Sequence, residues 1–182
     1  MKRLIVLVLL LSCACSTEKY MANPDGSRPV LYQATTVLAW PVVDGAHLGP
    51  SSGARIYIDD TTQFDRDVRL GDGVRIGARS YIDEDVVLFP NVTIGDDTRI
   101  GGDAIVQSGV KIGNKVVIGG DSKIGPDVLI EDSVRMGKWV RVGSHASIGS
   151  GAEIGAGSTL EDRAVVAKSA LIAQGSRVSA PK

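Results

Sequence analysis

The sequence predicts an all-β solenoid built on a metre of six, and three regularities carry that expectation. The first is a column of large apolar side chains. Stepping by six from Ile58 reaches Phe64, Leu70, Ile76 and so on to Val178, an aliphatic or aromatic residue at each of 21 positions. With 43% of the chain hydrophobic, chance would give such a run with a probability on the order of 10⁻⁸, so the period is a property of the fold. The second is a companion column two places earlier, from Ile56 and Thr62 to Ala170 and Ser176, which after Ile56 holds only Ser, Thr, Ala or Val. Strand side chains alternate, so both columns face one interior and the residue between them faces out. The third is glycine directly after many of the aliphatics, as at Gly71, Gly77, Gly95, Gly119, Gly137 and Gly143. Glycine adopts backbone angles that other residues avoid, which suits a corner recurring once per repeat.

The unit aliphatic, Gly/Ala/Asp/Glu, two variable residues, small residue, one variable residue resembles the hexapeptide repeat of the LpxA-like superfamily. Phe89, Gln107 and Ser179 depart from it at the position after the aliphatic. The resemblance implies a single-stranded left-handed parallel β-helix of about seven coils, each made of three hexapeptides and three short strands, commonly assembled as a homotrimer. Coils stacked about 4.8 Å apart give a prism roughly 34 Å tall.

Taken in order, residues 1–15 read as an export signal: Lys2 and Arg3, an apolar run from Leu4 to Leu11, then Ser12-Cys13-Ala14-Cys15-Ser16. The order resembles a bacterial lipoprotein signal, which implies a lipid on Cys15, or on Cys13, whose Leu10 stands at the favoured aliphatic position. Neither Ala14 nor Ser16 is the aspartate that such signals use for inner-membrane retention. The expected location is therefore the outer membrane or cell envelope, with the domain facing the periplasm and the membrane as partner. Residues 16–52 read as a polar tether to about Ser27, followed by an N-terminal cap segment over Arg28–Leu48, apolar but off the metre, covering the first coil. Residues 53–178 form the repeat, and 179–182 a tail with Pro181 and Lys182 as modest guards of the last strand edge.

A net charge of −1 gives no reason to expect a nucleic-acid partner. Stepping by three hexapeptides places Arg69, Val87, Ile105, Lys123, Arg141, Thr159 and Arg177 on one outward face. Adjacent Val87 and Ile105, flanked by cations, fit a subunit contact or a stripe for an acidic ligand. Trp139 falls on a corner between Asp121 and Gly157 and fits either a subunit boundary or a flat ligand.

Histidine limits the chemistry. The chain has two, His47 and His145, too few for the three-histidine zinc site of the superfamily's carbonic anhydrases, so no metal and no cofactor are expected. Acyltransferases of the superfamily resemble one another in a histidine two places after the coil aliphatic. Here those positions hold residues such as Asp132, Ser144 and Asp162, and His145 lies one place further on. Asp127, one coil before His145, is positioned to orient the ring, which makes the two the only catalytic candidates. The sequence reading is therefore a lipid-anchored envelope β-helix acting as a structural or binding module. The runner-up is an acyl- or acetyltransferase acting on an envelope glycan with a CoA- or carrier-bound donor.

Overall fold

The computed structural model describes residues 30–33, 42–43, 46–48 and 55–181. Cys13 and Cys15, the signal, the tether and much of the segment before residue 55 lie outside the described residues. From Arg55 to Val178 the backbone forms seven coils, each contributing one short strand to each of three parallel sheets. Within this stretch strand partners are one full coil apart in the chain, as in Arg99↔Val117 and Lys123↔Arg141. The sheets are identified below by an outward residue: the Lys111, Val117 and Lys123 faces.

Each hexapeptide spends its N–H groups in the same way. The outward residue donates to the carbonyl of a small residue one coil on, as Lys123 does to Val140 at 2.9 Å, and the residue after the aliphatic donates to an aliphatic's carbonyl, as Gly119 does to Met136 at 2.9 Å. The corner residue that follows donates backward, as Trp139 does to Gly120 at 3.0 Å. Inside, the aliphatic column is sealed: Ile100, Ile118, Ile124, Ile130 and Ile148 are buried, each worth about 1.5–3 kcal/mol of transfer free energy. Where the companion column carries a hydroxyl, it closes the accounting for buried backbone groups. Ser122 Oγ donates to the Gly137 carbonyl at 3.3 Å and accepts from the Val140 N–H at 3.2 Å, and Ser80 and Thr98 act alike.

The glycines after the aliphatics serve a purpose different from the expected one. Positive φ falls three places after the aliphatic, mostly on other residue types: Asp67, Arg79, Asp121, Trp139 and His145 all have φ between 55° and 59°. Gly77, Gly119 and Gly143 lie outside that region, and what they supply is room. A Cβ on Gly119 would stand 2.5 Å from the Gly137 carbonyl carbon, and one on Gly143 would press as hard on the Asp162 nitrogen. They are glycine because successive coils press together there.

Strands also form ahead of the periodic stretch. Val30–Gln33 pairs antiparallel with Arg55–Ile58, and Ala46–Leu48 pairs parallel with Val68–Leu70 on one side and antiparallel with Val42–Val43 on the other. Leu48 lies opposite Leu70, so this turn of the chain is longer than a regular coil and hides from a count by six. At the other end the edge strands are Val165–Val166, Leu171–Ile172 and Arg177–Val178.

Candidate functional site

The Lys123 face carries the candidate site. Its outward residues run Arg69, Val87, Ile105, Lys123, Arg141, Thr159 and Arg177 in consecutive paired strands. Val87 and Ile105 are half-buried neighbours, whereas Lys123, Arg141 and Arg177 are exposed. From Ile105 to Arg177 the face forms an open groove of about 760 Å³, with Gln107, Gly125, Gly143, Glu161 and Asp162 along the side where the strands turn away.

Three coils meet at that side, and their turns hold Asp127, His145 and Arg163 at the same corner position. His145 is set by its backbone: φ is 57° and its N–H donates to the Pro126 carbonyl at 3.0 Å. The imidazole Nε2 stands 3.7 Å from Asp127 Oδ2, with the two side chains 59% and 61% exposed. That spacing gives an ion pair when the ring is protonated but exceeds hydrogen-bond distance, so the dyad is loosely held. Next to it, Asp162 accepts the Ser144 N–H at 2.8 Å. This bond, reinforced by the Ser144 side chain and then by His145 and Arg163, holds the Asp162 carboxyl below the usual range. Glu161 is likewise held low by the hydrogen bond from Arg177 and then by Ser179. The Ser144–Asp162 tie was within reach of the sequence, since the two stand one coil apart.

On the opposite edge of the face, Trp139 occupies the corner that leads into it, 60% exposed and with φ 59°. Above it in the stack come Gly157 and Gly175, where a Cβ would meet nothing within 4 Å. His47 pairs through its backbone with Arg69, far along the face from His145. Among the described residues no group of three His, Cys, Asp or Glu side chains is arranged to hold a metal ion, and no helix is long and apolar enough to cross a membrane.

Residues 91–125 and 121–156 match the profile of the bacterial transferase hexapeptide family, described as six repeats. Across residues 91–156 the solenoid is thus similar to hexapeptide-repeat transferases. No curated protein sequence matches the chain. Among solved structures, UDP-N-acetylglucosamine acyltransferase from Campylobacter jejuni is 16% identical, with 72% of this chain and 64% of that chain covered and a TM-score of 0.52. A mutant perosamine N-acetyltransferase from Caulobacter crescentus, complexed with CoA and GDP-perosamine, is 23% identical, with 64% and 50% covered and a TM-score of 0.46. The hexapeptide chain thus spans half the length of the Caulobacter protein and somewhat under two thirds of the Campylobacter one. At these identities the likeness is one of fold.

Proposed function

We propose that this hexapeptide chain is an acyl- or acetyltransferase that uses the Lys123-face groove and the His145–Asp127 dyad to acylate a glycan of the cell envelope. The observation that carries the reading is the pairing of His145 with Asp127 two residues beyond the groove-lining Gly143 and Gly125, in a chain whose repeats match a transferase profile. His145 takes the proton from an acceptor hydroxyl or amine as its oxygen or nitrogen bonds to the thioester carbonyl carbon. The C–S bond then breaks, and the imidazolium returns the proton to the departing thiolate. Asp127, facing Nε2, steadies the charged ring and leaves Nδ1 to accept the proton. Active-site contacts of this kind tighten when substrate excludes water. The same reading anchors the chain to a membrane through lipid on Cys15, or Cys13, with the solenoid in the periplasm as a homotrimer.

The exposure of both dyad members favours a second reading, a lipid-anchored structural or binding module with no turnover. Incubating the purified full chain with acetyl- and longer acyl-thioesters and envelope saccharides separates the two. Thioester consumption that falls at least 100-fold in His145→Ala supports the transferase. Absence of turnover, or turnover indifferent to His145, supports the module. Radioactive fatty-acid labelling of wild type, Cys13→Ala and Cys15→Ala tests the anchor.

A further inference from the structure

The Lys123 face holds two cations side by side with no ion-pair partner among the described residues. Lys123 and Arg141 are direct partners in parallel register, where like charges oppose each other at a cost to the sheet. Several other outward arginines have an acid, Arg99 with Asp83 at 3.9 Å, Arg135 with Glu153 at 3.5 Å and Arg177 with Glu161, and Arg75 lies over the Tyr57 ring at 4.9 Å. Lys123 and Arg141 have no acidic partner among the described residues, although Glu161 and Asp162 line the same groove. Those carboxylates are committed, Glu161 to Arg177 and Asp162 to the Ser144 N–H.

Trp139 is the second, independent oddity. It holds a left-handed backbone conformation in a corner column whose other members are Asp67, Asp85, Asp103, Asp121, Gly157 and Gly175. Asp and Gly accept that conformation readily and a bulky aromatic does not. The indole is not spent on the core, being 60% exposed, and the two glycines stacked beyond it leave a bare strip of backbone. An aromatic shelf beside an open strip, next to an unneutralised cation pair, matches a ligand with flat apolar ring faces and acidic substituents.

We propose that the Lys123 face binds an acidic oligosaccharide, one sugar ring lying on Trp139 and a carboxylate or phosphate substituent seated between Lys123 and Arg141. Stacking against the indole supplies apolar contact along the ring face, and the cation pair supplies charge complementarity that a neutral saccharide cannot use. From Trp139 the strand leads past Arg141 to His145, at most about 20 Å of extended chain, so a short oligosaccharide laid along it reaches the dyad. That last step rests on the acyltransferase reading; the binding does not.

Calorimetric titration of the full chain tests this with three probes: a hexagalacturonate, neutral maltohexaose and poly-glutamate. The expected result is saturable binding of the hexagalacturonate alone. It weakens at least tenfold in Trp139→Ala and in the Lys123→Gln/Arg141→Gln double variant, and is unchanged in Lys111→Gln on another face. All the altered side chains point outward, and unchanged melting curves check that each variant is folded. Equal binding of maltohexaose overturns the role of the cations, equal binding of poly-glutamate overturns the sugar, and no binding or no effect of the variants overturns the site. Binding without His145-dependent turnover leaves this proposal standing and removes the transferase; turnover without saccharide binding does the reverse.

Discussion

Replacing Gly119 with alanine places a methyl carbon 2.5 Å from the Gly137 carbonyl carbon, 2.6 Å from the Lys138 nitrogen and 2.7 Å from the Gly137 oxygen. All three are backbone atoms of the next coil, so no side chain can swing aside. Ordinary contact begins at about 3.4 Å, so the coils must part locally by roughly 0.9 Å, against a spacing of about 4.8 Å. The ladder resists that movement through the Gly119 N–H bond to Met136 and the Trp139 N–H bond to Gly120. Overpacking of this kind costs about 1–3 kcal/mol, offset by about 0.4–1 kcal/mol from the stiffer unfolded chain, which leaves a net loss of up to about 2.6 kcal/mol, centred on about 1.3 kcal/mol. Asparagine distinguishes the two explanations for the glycine. It tolerates left-handed φ, so Gly157→Asn, at φ 67° with open space around it, is expected to be nearly neutral. Gly119→Asn is expected to be at least as damaging as Gly119→Ala. Urea unfolding of the full chain gives the stabilities, and hydrogen exchange at the Trp139 amide reports the local parting. Were Gly119→Asn as mild as Gly157→Asn, the close-approach explanation would be wrong.

Three further outcomes follow from the packing. Ile118→Asp puts a carboxylate into a column where Ile118 is 1% exposed between Ile100 and Met136; with no partner available it is expected to cost several kcal/mol, read as loss of the cooperative unfolding transition. Ser122→Ala leaves the Val140 N–H without its acceptor at a buried site, and is expected to destabilise by about 1–3 kcal/mol; Ser122→Thr, which keeps the hydroxyl, should recover much of it. The third concerns pH. Because the Asp162 carboxyl is held below its ordinary value in the folded chain, its stabilising contribution is present above the ordinary carboxylate range and is lost as pH falls through the lowered value. Asp162→Asn should therefore lower stability at neutral pH and leave it little changed at acid pH, which flattens the acid limb of the stability curve below about pH 4.

Much of this molecule is written in the period. Because the coil is uniform, a step of three hexapeptides in the sequence is a neighbour in space, which is how Asp127 comes beside His145 and Lys123 beside Arg141. Trp139 on its corner follows from the same count. What the period does not contain is distance. The role of Gly119 depends on how closely coils stack, which no spacing of letters states, so its glycine reads as a turn residue when it is in fact clearance. The groove on the Lys123 face is equally invisible, since the period states which side chains share a face and not the space between them. Ala46–Leu48 escapes because the chain between it and Val68–Leu70 is longer than a regular coil, and a count by six steps over it. The catalytic question stays the hardest to read because a histidine one place off the expected position has the same composition as one in place.

The claim beneath all of this is that stacking of whole coils, and not any local segment, determines the fold. Deleting residues 109–126 removes one whole coil and joins Ser108 to Asp127, which occupies the same place in the turn as Gly109. Deleting 109–117 instead shifts everything after it by half a coil and puts the aliphatics, Ile118 first, at the positive-φ corner position that Gly109 holds. Circular dichroism and thermal unfolding of the two deletions should show a folded, cooperatively melting shorter solenoid for the first and an unfolded or aggregated chain for the second. Equal behaviour of the two, folded or unfolded, would contradict the account.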